Sequence, residues 1–164
     1  MAYDFNVNEV FEMAIQIEAN GANFYRKAAG MQKDPDNKAF LEKLARMEDK
    51  HKTTFESMQK EVSEGEKQET VFDPADELSM YLKAMADNHG GEGDPDIVDA
   101  FTGEEPIEEI ITTAIGLEKE SILFYLGLKD LVPAKYGHDK LDHIIKEEKL
   151  HIAQLTGFLK KIKA

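Results

Sequence analysis

The sequence predicts an all-α protein, a bundle of four long helices joined by a short loop, a long crossover and a second short loop. Three observations predict it. Apolar residues recur at three- and four-residue steps through most of the chain. Turn-forming clusters divide that periodicity into two hairpins, near residues 8–64 and 105–163, with a crossover over 65–104. The hairpins also repeat each other: Glu18, Glu48 and His51 recur one hundred residues later as Glu118, Glu148 and His151, and Tyr25 recurs as Tyr125.

Each element has its own signals. The first helix is expected after Asn8, a good N-cap, with Phe11, Ala14, Ala22, Tyr25 and Ala29 on one stripe. Residues 32–37, Gln-Lys-Asp-Pro-Asp-Asn, break it. The second carries Phe40, Leu44, Met47, Phe55, Met58 and Val62 and ends near Gly65. In the crossover, Asp73 and Pro74 are expected to open a short helix near 75–87 whose stripe is Leu78, Tyr81, Leu82 and Met85. Residues 88–95, with Gly90, Gly91 and Gly93, read as loop. The third long helix is expected to start between Thr102 and Pro106, with Thr102 and Glu105 as a capping box. It carries Ile107, Ile111, Ala114, Ile122, Tyr125 and Leu128 and stops at Leu131-Val132-Pro133. The fourth runs from about Asp139 to Lys161 with Leu141, Ile144, Leu155, Phe158 and Ile162 inward.

Composition narrows the function. A chain of 164 residues is expected to form a single domain over 1–164, with a core that needs no covalent staples. It has no cysteine, which removes thiolate chemistry, cysteine-ligated zinc and iron-sulfur clusters and suits a reducing compartment. A net charge of −13 argues against nucleic acid as a partner. No apolar run approaches the roughly 20 residues of a membrane span, and the first residues lack the pattern of a secretion signal, so a soluble, cytoplasmic protein is expected.

The repeated polar residues lie where core residues belong. Leu44, Glu48, His51, Phe55 and Met58 advance at helical steps, and Ile144, Glu148, His151, Leu155 and Phe158 repeat them. Glu18 and Glu48 are 30 residues apart about a midpoint at Lys33, and Glu118 and Glu148 are 30 apart about Pro133. In an antiparallel hairpin each pair therefore lies level, roughly 19 Å from its turn at about 1.5 Å per residue. Four unpaired carboxylates in a core would cost several kcal/mol each. No Lys or Arg shares their stripe, whereas two divalent cations would neutralise them. A lone Glu-x-x-His is usually a solvated pair; two triplets at equal spacing point to a site for two metal ions. Iron, manganese and zinc all accept such ligands. Tyr25 and Tyr125, two turns beyond Glu18 and Glu118, read as core aromatics whose hydroxyls need a polar partner, and a metal-binding carboxylate would serve. His89, His138 and His143 read as surface residues, as do Asp49, Glu120 and Glu147.

At Glu18, Glu48-Asp-Lys-His51, Glu118 and Glu148-Lys-Leu-His151 the chain resembles the ferritin-like di-iron superfamily, and most of all its rubrerythrin branch. The resemblance implies a left-handed four-helix bundle holding two metal ions, iron foremost. Glu18 with His51, and Glu118 with His151, would be the terminal ligands, and Glu48 and Glu148 would bridge. It also implies reaction with peroxide or dioxygen. Two departures stand out. Rubrerythrins usually append a cysteine-bound iron domain, whereas this sequence has no cysteine, so electrons are expected to come from a separate donor. They also carry an extra glutamate one turn after the third-helix ligand, where this chain has Ser121, with Gly21 at the twin position. The expected function is thus an oxidoreductase of oxidative-stress defence, with iron oxidation and storage as the alternative. A homodimer is expected, because a short helix on long linkers can be shared between protomers.

Overall fold

The computed structural model describes residues 7–65, 75–87 and 96–164. In them, α1 (Val7–Gly30), α2 (Pro35–Gly65), α5 (Ile107–Leu131) and α6 (His138–Lys163) are the long helices. Two short helices, α3 (Glu77–Asp87) and α4 (Asp96–Asp99), lie between the hairpins. A single 3₁₀ turn, Ala134–Tyr136, precedes α6. α1 packs along α2 and α5 along α6, while contacts of α1 with α5 and of α2 with α6 join the halves into an all-α bundle.

The helices end where local chemistry ends them, with two corrections to the expected caps and one to the expected break. Asn8 lies inside α1, its amide on Glu12 and its carbonyl accepting from Gln59, so it caps nothing. The break between α1 and α2 is shorter than the sequence suggests. Asp34 caps α2, its Oδ1 accepting from the N–H groups of Asp36 (2.9 Å) and Asn37 (3.0 Å), and Pro35 takes the first helical position. Thr102 and Glu105 do bond each other, but in a turn before α5, where Pro106 is the N-cap residue. The backbone N–H of Thr102 holds the Glu105 carboxyl down to about 2. Gly137, at φ 103°, makes the left-handed step from the 3₁₀ turn into α6.

α3 begins at Glu77; the Asp73-Pro74 start and the 88–95 loop lie outside the described residues. Leu82 is buried against the bundle, and Leu78 and Met85 pack partly into the same cluster, so the stripe of α3 is covered largely by its own chain. Gly127 permits that docking: a Cβ there would fall 2.4 Å from the ring of Tyr81. The Tyr81 hydroxyl donates to the Leu123 carbonyl at 2.7 Å. α4, which no sequence signal marked, packs on α1, with Ile97 and Val98 partly buried beside Phe24 and Ala28.

The core falls into two apolar clusters. One gathers Phe11, Ala14, Phe55, Leu128, Leu141 and Ile144; the other gathers Phe24, Ala28, Leu41, Leu44, Ile111 and Leu155. Because paired helices run antiparallel, residues 18, 48–51, 118 and 148–151 fall between the two clusters. The bundle is apolar at both ends and polar at its middle.

Candidate metal centre

Each long helix contributes to that middle layer: Glu18 from α1, Glu48 and His51 from α2, Glu118 from α5, Glu148 and His151 from α6. The four glutamates are fully buried and the histidines nearly so. No Lys or Arg is among the buried residues described.

The two imidazoles stack with centroids 5.7 Å apart, and their Nδ1 atoms look into the same space. Around His51 Nδ1 lie Glu148 Oε1 at 3.0 Å, Glu18 Oε2 at 3.5 Å and Glu48 Oε2 at 3.7 Å. Around His151 Nδ1 lie Glu148 Oε2 at 2.8 Å, Glu48 Oε1 at 3.2 Å and Glu118 Oε1 at 3.4 Å. Glu48 and Glu148 thus each turn one oxygen to each histidine, as bridging carboxylates would. Two overlapping sets of four residues, Glu18-Glu48-His51-Glu148 and Glu48-Glu118-Glu148-His151, each offer ligand atoms within 4.8 Å of one another.

Short distances here are not well-formed hydrogen bonds. Both oxygens of Glu48 and of Glu148, Oε2 of Glu18, Nδ1 of His51 and both nitrogens of His151 are buried without a hydrogen-bond partner among the described residues. A core that strands this many polar atoms is strongly disfavoured unless something else satisfies them. An imidazole lone pair facing three carboxylate oxygens is repulsive until a cation, proton or metal, sits among them. The residues fit two such metal ions in number, charge and donor type.

The electrostatics of the layer reflect the same crowding. Burial raises the Glu18 carboxyl well above its usual range, and the charges of Glu148 and Glu48 raise it further. For Glu48, burial also pushes upward, but the contacts with His151 and His51 outweigh it and hold the group down to about 2. Burial alone would lower both histidines. Glu148, Glu18 and Glu48 instead raise His51 far above its ordinary value, and Glu118, Glu148 and Glu48 push His151 up to about 12.

The tyrosines cross between halves. Tyr25 of α1 donates to Glu118 of α5, and Tyr125 of α5 donates to Glu18 of α1. Glu18 and Glu118 are therefore each oriented by the opposite hairpin. Ser121 bonds back to the Leu117 carbonyl at 3.2 Å.

Glu147, read from sequence as a solvated acid, is not one. Its Oε2 lies 2.8 Å from His51 Nε2, fixing the outer edge of that ring as carboxylates commonly do for metal-binding histidines. It also lines a surface pocket of about 560 Å³ that reaches His51, shared with Lys50, Thr54, Lys140 and His143. Glu147 is one residue off the core stripe, so only the facing helix reveals its role. His143 is exposed as expected, but His138 is half-buried and bonded to the Val132 carbonyl; His89 lies outside the described residues.

Comparison with known proteins bears on the family resemblance and the fold. Residues 9–89 match the family model described as Rubrerythrin, a stretch that holds Glu18, Glu48 and His51. The whole chain is similar to a solved structure from Thermotoga maritima described as a candidate ferritin-like diiron-carboxylate protein. Its TM-score is 0.67 at 22% identity, covering 98% of both chains, and that likeness speaks to the fold. No curated protein matches. Match and fold alike resemble the ferritin-like di-iron superfamily.

Proposed function

We propose that this chain binds two metal ions, iron foremost, and uses them to reduce peroxide or dioxygen with electrons from a separate donor, as a rubrerythrin-like protein of oxidative-stress defence. The observation that carries the reading is the way Glu48 and Glu148 each divide their oxygens between His51 and His151. Glu18 with His51 would complete one position and Glu118 with His151 the other. When bound, a ferrous pair supplies two electrons to the oxidant.

The chain's own residues do the rest. Tyr25 and Tyr125 hold the terminal carboxylates by their hydroxyls. The two apolar clusters keep water from both ends of the layer. The pocket beside His51 offers a small molecule a way in from the surface. No described helix is long and apolar enough to cross a membrane, in keeping with action in the cytoplasm. The exposed Met80, Tyr81, Leu123 and Leu126 offer apolar area for a second copy, and sedimentation giving only the monomer mass would dismiss that homodimer.

A second reading, iron oxidation for storage, draws on Ser121, which stands where a rubrerythrin carries an additional glutamate. Peroxide titration of the ferrous protein separates the two. Turnover that continues only while an external reductant is supplied supports the reductase. Uptake of many irons per chain without a donor supports storage. A ferrous-loaded protein inert to both peroxide and dioxygen contradicts each reading.

A further inference from the structure

The two halves of the site differ behind their histidines. His51 Nε2 meets Glu147 Oε2 at 2.8 Å, while His151 Nε2 is buried with no hydrogen-bond partner among the described residues. The duplication explains the difference. The position equivalent to Glu147, one hundred residues earlier, is Met47, whose thioether is at best a feeble acceptor.

That contact has a chemical consequence. With Glu147 accepting from Nε2–H, the His51 ring is held with its Nδ1 directed at Glu148, Glu18 and Glu48. It needs no rearrangement to serve as a ligand, and a carboxylate behind an imidazole makes it a stronger electron donor. His151 has similar inward surroundings but, among the described residues, no hydrogen-bond partner behind its ring to select that orientation or tautomer. Glu147 is 30% exposed and its second oxygen lies 3.4 Å from Nε2 of the exposed His143, so its carboxylate sits where the surface pocket meets the ligand.

We propose that Glu147 is a positioning residue that makes the two metal positions unequal, the His51 position taking its cation first and more tightly. The inference rests on the reading of the cluster as a two-metal site and adds an order of filling to it.

Manganese(II) titration of the metal-free protein, with the free ion counted by electron paramagnetic resonance, tests it without any turnover. The parent should bind in two resolved steps. Glu147→Met, which copies the other half, should weaken the tighter step by about 10–100-fold, the usual effect of losing such a partner, and merge it with the other. Glu147→Gln keeps an acceptor but loses the charge, and should retain most of the tighter step. Met47→Glu should strengthen the weaker step. Circular dichroism checks that each variant keeps its helices.

Two equal steps in the parent would overturn the proposal, as would a Glu147→Met variant whose tighter step is unchanged. Equal weakening of both steps, or a Glu147→Gln variant as impaired as Glu147→Met, would assign the effect to net charge and overturn positioning. In all these outcomes the metal site itself stands. A parent that binds no manganese would instead remove the two-metal reading and this one with it.

Discussion

Filling the cluster must expel protons, and the structure says roughly how many. In the metal-free protein the surrounding carboxylates overcome burial and keep both His51 and His151 protonated at neutral pH. A metal ligand must shed that proton first. The histidines release two protons, and Glu18 releases a third wherever its raised titration still leaves it protonated. Loading both positions should therefore strengthen by about 100-fold per pH unit, and by about 1000-fold where Glu18 contributes. Isothermal calorimetry of zinc(II) binding in buffers of different ionisation enthalpy counts these protons directly, at pH values between about 6 and 8. Binding of two zinc ions with less than one proton released, or with an affinity flat across that range, would refute the electrostatic account of the site.

Other consequences are as direct. Without metal, stability should fall as pH rises. A raised histidine stabilises fully below its unfolded value of 6.5 and loses that contribution as pH climbs toward its folded value, about 12 for His151. Glu18 acts in the same direction from 4.5 upward, while Glu48 opposes it only as pH drops below 4.5 toward about 2. Thermal melts of metal-free protein that improve between pH 7 and 9 would contradict this. Tyr25→Phe and Tyr125→Phe each take a donor from a buried carboxylate, at about 1–3 kcal/mol, or roughly 2–12 °C in melting temperature. Unchanged melts in both variants would show that those hydroxyls do not support the glutamates. Gly127→Ala puts a methyl into the Tyr81 ring, and should cost about 1–3 kcal/mol and quicken proteolysis around α3; parent-like resistance would mean that α3 docks more loosely.

The bundle and its polar layer were legible because both rest on periodicity. Glu48, His51, Glu148 and His151 announce themselves by interrupting apolar stripes at core steps, and the equal 30-residue separations set the paired glutamates level. What sequence missed depends on neighbours from other elements. Glu147 is an ordinary helical acid until α2 brings His51 to it. Asn8 and the Thr102/Glu105 pair are good caps by composition. Asn8 is instead inside α1, which includes Val7, and the Thr102/Glu105 turn is complete before Pro106 begins α5. α4 is four residues long, too short to show a period.

Ferrous titration of the metal-free protein under strict exclusion of oxygen tests the central claim most directly. The account predicts saturation at two iron ions per chain, with Glu48→Ala losing binding at both positions because its two oxygens face both histidines. Saturation at one ion or none, or a Glu48→Ala variant that still takes up two, would contradict a bridged pair at the middle of the bundle.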